Sequence, residues 1–104
     1  MKMTLQERDK KHLWHPLTQH QLHPNHLPIT KAKGALLFDD KGNTYIDGIA
    51  SWYTCMYGHC NAHITRRVSD QMQQLDHVVF AGFTHEPAIK LSEELIQILP
   101  KNQQ

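Results

Sequence analysis

The chain has 104 residues, 39% of them hydrophobic and 20% charged, with a net charge of +1. That near-neutral balance excludes the electrostatic footprint of a nucleic-acid binder, and no apolar run approaches the roughly 20 residues needed to span a bilayer. Two cysteines make no disulfide framework. The segment behind Lys2 is too polar for a secretory signal, so these counts describe a soluble, cytoplasmic polypeptide. Nine histidines are the compositional oddity.

Residues 1–28 form a polar arm carrying His12, His15, His20, His23 and His26 and three prolines, Pro16, Pro24 and Pro28. A short helix is expected over Gln6 to Trp14, followed by extended chain, because proline and missing periodicity defeat further helix. Residues 29–47 read as a small β-meander. Ala35–Phe38 and Thr44–Ile46 are β-rich runs around the turn composition Asp39-Asp40-Lys41-Gly42-Asn43, and Ile29–Ala32 is a further strand beyond Gly34. Residues 49–60 read as a loop bearing Trp52, Tyr53 and Tyr57.

Helices follow. Asn61 caps one whose apolar positions Ile64, Val68, Met72 and Leu75 recur at steps of four, four and three. A second is expected over Glu86 to Leu99, with Thr84 or Glu86 near its cap, Pro87 in its first turn and Pro100 ending it. Ala88, Leu91, Leu95, Ile98 and Leu99 form its apolar stripe. Two helices and a meander bury little by themselves at this length, so the exposed apolar faces call for further structure to cover them.

The chemical candidates are few. Cys55, His59, Cys60 and His63 lie within nine residues, but their spacing and that of the arm histidines fit no zinc motif. The histidines read as solvated or locally hydrogen-bonded, the cysteines as small buried hydrophobes, and no metal site is expected. The scattered glycines offer no phosphate cradle; Gly58 ahead of Asn61 is the nearest case. Trp52 and Tyr53, where a strand ends and the chain turns, are either core or the wall of a ligand pocket.

The combination of segments resembles the class III aminotransferases. The segments are Lys11-His12-Leu13-Trp14-His15-Pro16, Lys33-Gly34-Ala35-Leu36-Leu37-Phe38-Asp39-Asp40-Lys41-Gly42, Tyr45 to Tyr53, Tyr57-Gly58-His59-Cys60-Asn61 and His77 to Ala88. The resemblance implies an α+β fold: a β-meander with two helices, from the N-terminal part of a fold-type I, pyridoxal-phosphate-dependent transferase. It implies a homodimer and a chain several times longer, of which residues 1–28 are the arm and 29–104 the meander and opening helices.

Within the family, the Trp-His-Pro opening, Ser51-Trp52-Tyr53 and Gly82-Phe83-Thr84-His85-Glu86-Pro87-Ala88 are most similar to the branch that aminates 8-amino-7-oxononanoate in biotin synthesis, with S-adenosylmethionine as amino donor. A branch acting on an ω-amino acid or diamine is the alternative within the family, and a non-enzymatic binding module the alternative outside it. The implied substrate-contacting residues are Trp52, its neighbour Tyr53, Trp14 of the arm, and Leu17, where many members carry a tyrosine. The resemblance places the cofactor lysine, the pyridine-nitrogen aspartate and the phosphate-binding glycine-serine pair downstream, so it implies no catalytic or cofactor-binding residue here; in agreement, none of the eight lysines lies in an apolar, pocket-like context.

Overall fold

The computed structural model describes residues 2–102. The chain divides into two compact units, Met1–Thr65 and Arg66–Gln104. Its secondary structure is α+β, a three-stranded antiparallel sheet preceded and followed along the chain by helices.

In the first unit, helix α1 (Leu5–His12) is closed at its start by a reciprocal cap. The Glu7 amide donates to Thr4 Oγ1 at 3.2 Å, and the Thr4 amide donates to Glu7 Oε2 at 2.7 Å. It ends two residues before the expected Trp14, where Leu13 becomes extended ahead of Pro16. The arm beyond it is not uniformly extended: the Leu22 and His23 amides both donate to the Gln19 carbonyl, and Leu17 adopts a left-handed φ of +54°.

The meander is β1 (Ile29–Lys33), β2 (Leu36–Asp39) and β3 (Thr44–Ile46), in the order β1-β2-β3. Lys33 pairs with Leu36 and Phe38 with Thr44; a bulge between Ile29 and Lys31 interrupts the first pairing. The β2–β3 turn is built on one carboxylate. Asp39 Oδ1 accepts the amides of Lys41 and Asn43 at 2.9 and 2.8 Å, and its Oδ2 accepts Asn43 Nδ2 at 2.8 Å and the Tyr45 hydroxyl at 3.0 Å. Such side-chain capping of a turn is why aspartate belongs there. Asp39 is the one buried residue among those described, at 5% exposure; no apolar residue is buried.

The expectation of a plain loop over residues 49–60 is corrected. Ala50–Tyr53 form a helical turn, α2, but a left-handed one, with φ of +47°, +46°, +61° and +64° in succession. Helix α3 (Ala62–Gln74) starts as expected at Asn61, whose Oδ1 accepts the amides of His63 and Ile64 at 3.0 and 3.2 Å. It stops one residue short of Leu75.

In the second unit, α4 (Glu86–Ile98) carries Pro87 in its first turn. Its N-cap is His85, between Thr84 and Glu86, with no side-chain capping bond; the His85 ring stacks on Phe80 instead, centroids 5.2 Å apart. Glu86 and Lys90 pair across one turn at 3.1 Å. The apolar stripes of both long helices are exposed. Among the described residues, no helix is long and apolar enough to cross a membrane.

Candidate functional site

The left-handed turn is the feature from which the site is built. For an L-residue each left-handed position costs roughly 1–2 kcal/mol, and runs of such positions are rare outside glycine. Four non-glycine residues in a row therefore need firm anchorage, and strain of this kind concentrates at ligand-binding segments. Inside the turn, the Tyr53 amide donates to the Ile49 carbonyl and the Cys55 amide to that of Ala50, each at 2.9 Å. The Thr54 hydroxyl donates to the Ser51 carbonyl at 2.6 Å.

The outer anchor is Asp47, at the end of β3. Its amide is held by the Ala35 carbonyl at 2.9 Å, and its Oδ2 accepts both the Ser51 hydroxyl and His59 Nε2, each at 2.7 Å. The Asp47 and His59 side chains are only 6% and 13% exposed. Hydrogen bonds from Ser51, backbone first and then hydroxyl, and next from His59, hold the Asp47 carboxyl far below the usual carboxylate range.

His59 is itself fixed by two backbone bonds to the β1–β2 corner. The Gly34 amide donates to the His59 carbonyl at 3.0 Å, and the His59 amide donates to that of Gly34 at 2.8 Å. Gly58 has φ of +85°, and a Cβ there would sit 3.2 Å from Gly34 Cα. The absent side chain at Gly58 is thus spent on a close approach between two backbone segments.

Ser51, His59 and Asp47 share residue types with a nucleophilic triad but not its geometry. In a triad the histidine bridges serine and aspartate through different nitrogens. Here Asp47 is the hub, and the His59 Nε2 that lies 3.4 Å from Ser51 Oγ is the same atom that engages Asp47. The arrangement fastens a turn; it does not activate the hydroxyl.

The turn leaves the rings it carries open: Trp52 is 68% exposed and Tyr53 73%. Of the two readings of this pair, core and wall, the core one is excluded within this chain. The arm residues Trp14 and Leu17 are more open still, at 85% and 88%. Trp14 stacks on His20 with centroids 4.4 Å apart. Among the described residues no stacking or hydrogen bond joins Trp14 or Leu17 to the Trp52–Tyr53 pair. Cys55 is half-buried but Cys60 is exposed, with φ of +53°, which corrects the expectation of a buried thiol there.

Trp52 and Tyr53 stand out in the sequence, whereas the anchoring roles of Asp47, Ser51 and His59 do not: His59 reads there only as a zinc ligand of unsuitable spacing and Ser51 only as part of the aromatic motif. The adjoining Asp47-Gly48 was the available signal, since a strand ending on aspartate before glycine marks a side-chain-capped turn.

The matches to known proteins bear on this geometry. The family model described as aminotransferase class-III matches residues 17–104. The chain belongs to the class-III aminotransferase family. Curated relatives named adenosylmethionine-8-amino-7-oxononanoate aminotransferase include those of Helicobacter pylori and Staphylococcus aureus. The first is 44% identical over 92 residues, 86% of this chain and 21% of the relative. The second is 35% identical over 100 residues, 94% of this chain and 22% of the relative.

Solved structures agree in fold. The omega transaminase of Pseudomonas jessenii in complex with PMP superposes with a TM-score of 0.85 at 30% identity, over 94% of this chain and 22% of that one. Adenosylmethionine-8-amino-7-oxononanoate aminotransferase of Methanocaldococcus jannaschii does so with a TM-score of 0.79 at 30% identity, over 93% of this chain and 23% of that one. The chain thus spans about a fifth of the length of the family members it matches.

The family implies pyridoxal phosphate, and the residues described here do not form a site for it. All eight lysines are solvent-exposed. Gly58, the nearest approach to a phosphate-cradling glycine, is packed against Gly34.

Proposed function

We propose that this chain is the substrate-facing N-terminal part of a homodimeric, pyridoxal-phosphate-dependent aminotransferase that converts 8-amino-7-oxononanoate to 7,8-diaminononanoate, with S-adenosylmethionine as the amino donor. One observation carries the reading: an Asp47-anchored left-handed turn holds Trp52 and Tyr53 open, in a chain that matches relatives of that name along most of its length. The two rings offer a flat apolar wall with polar tips, suited to a substrate with a long methylene chain and amino and keto groups at one end. Leu17 supplies an apolar contact without a hydrogen bond, and Trp14 brings the arm against the entrance. These residues bind and orient the substrate. No step of amino transfer is assigned to them.

The test is made on a protein that continues this chain over the length of its relatives. It should form diaminononanoate from the oxononanoate and S-adenosylmethionine, followed by mass spectrometry. Trp52→Ala should lower kcat/KM by about 10- to 100-fold, the equivalent of burying one large side chain, while the cofactor absorbance stays intact. Loss of that absorbance in the variant would refute the role given to Trp52.

A second reading, amino transfer from an ω-amino acid or diamine, is favoured by the superposition on omega transaminases and by Leu17. Turnover of such donors without turnover of the oxononanoate would select it.

A further inference from the structure

The histidine excess has a structural outcome that the substrate site does not use. The arm folds back so that His15 and His26, eleven positions apart, stack face to face with centroids 3.7 Å apart. The edge of this stack that carries His15 Nε2 and His26 Nδ1 meets the Asp9 carboxylate. His15 Nε2 lies 2.9 Å from both Asp9 oxygens, and His26 Nδ1 lies 3.4 Å from Oδ2. All three side chains are half-buried. His26 is the telling member: both its ring nitrogens are covered, and neither has a hydrogen-bond partner. A covered, unpaired imidazole nitrogen costs free energy that a ligand can recover.

We propose that Asp9, His15 and His26 form a binding site for one divalent transition-metal ion of the zinc class. Two imidazoles and a carboxylate are a ligand set such ions favour, and three protein ligands leave a fourth position for water. The three ligand atoms lie within 4.8 Å of one another. A tetrahedral ion with bonds of about 2.0–2.1 Å needs them about 3.3 Å apart; the His15–Asp9 separation of 2.9 Å opens slightly and the wider separations close.

The ion takes the place of the hydrogen bond between His15 and Asp9 and gives His26 Nδ1 a partner. A bound metal must lie near the plane of each imidazole, so its entry tilts the two rings out of their stack, the nitrogen-bearing edges converging on the ion and the far edges opening. Access is open: Asp9, His15 and His26 line a concavity of about 460 Å³ with Leu5, Leu13 and Pro28. The Gln6 amide group donates to the His26 carbonyl at 3.0 Å, which ties the second histidine to α1. A bound ion would therefore clasp the arm between Asp9 and His26 into one loop.

The chain Met1–Gln104 is titrated with Zn²⁺ by calorimetry and with Co²⁺ by visible absorbance. The expected result is saturable uptake of one ion per chain, with the d–d bands of a four-coordinate site and no thiolate charge-transfer band. His26→Gln and Asp9→Ala should each weaken binding by more than about 100-fold, beyond the roughly 10- to 100-fold that loss of an outer-shell partner costs. The double variant Cys55→Ser/Cys60→Ser and the variant His77→Gln should bind as the parent chain does.

Circular dichroism shows whether a variant has kept its helices. Selective paramagnetic perturbation of the His15 and His26 ring protons by Co²⁺ reads the site in the unaltered chain. No stoichiometric uptake would overturn the proposal, as would uptake abolished in the cysteine double variant or ring protons left unperturbed by a bound ion.

Discussion

Gly58→Ala tests the reasoning that places the Trp52–Tyr53 turn. Gly58 has φ of +85°, and an added Cβ would stand 3.2 Å from Gly34 Cα and 3.6 Å from its carbonyl carbon. The left-handed backbone alone costs alanine roughly 1–2 kcal/mol, and forcing a methyl against backbone that must shift adds about 1–3 kcal/mol. Loss of chain entropy in the unfolded state returns about 0.4–1 kcal/mol. The net is a destabilisation of about 1–5 kcal/mol, concentrated on the two Gly34–His59 backbone bonds.

Gly42→Ala is the built-in comparison. Its φ is also +85°, but nothing lies within 4 Å of an added Cβ, so only the backbone cost applies. Amide hydrogen exchange at Gly34 and His59 is the assay. Protection should fall by about 10-fold or more in Gly58→Ala, since each 1.4 kcal/mol is a factor of ten. Gly42→Ala should leave these two amides unchanged. Equal protection of Gly34 and His59 in both variants would refute the claim that Gly58 is reserved for the close approach, and with it the route by which His59 reaches Asp47.

Three further outcomes are expected. Asn61→Ala removes the acceptor of the His63 and Ile64 amides and should destabilise the start of α3 by about 1 kcal/mol, read as lower protection of those amides; Asn61→Asp should restore it. Asp39 is held down to about 2, first by the Asn43 side chain and further by Asn43, Lys41 and Tyr45 bonds, against desolvation, which pushes the other way. Its depressed value means that its stabilisation of the turn is fully present above the ordinary aspartate range near 4 and is lost as pH falls through about 2, which Tyr45 chemical shifts should follow. Asp47→Asn removes the charge that joins Ser51 to His59 and should loosen the left-handed turn. Trp52 fluorescence would then become more readily quenched by iodide, and unchanged quenching would count against the anchor.

Much of the scaffold was legible in the sequence. Thr44–Ile46 is β-rich and appears as a strand with those bounds; Asn61 announced a helix start, and its side chain makes the capping bonds. These are short-range effects, set by propensity, periodicity and hydrogen bonds between residues a few positions apart, so the sequence carries them locally.

The site was only half legible. Trp52 and Tyr53 stood out as aromatic residues at a turn, but the left-handed backbone that keeps them open cannot be foreseen from Ala50-Ser51-Trp52-Tyr53, none of which favours that conformation. It persists because Asp47, Ser51 and His59 converge on it from two loops, and Gly34 reaches across to His59. The nine histidines changed meaning for the same reason. Their spacing along the chain fits no motif, yet the fold of the arm brings His15 and His26 together on Asp9. The sequence by itself determined the elements, the near-neutral charge and the family resemblance. Tertiary structure alone decided which polar groups meet, because that depends on chain reversal between distant residues rather than on any local preference.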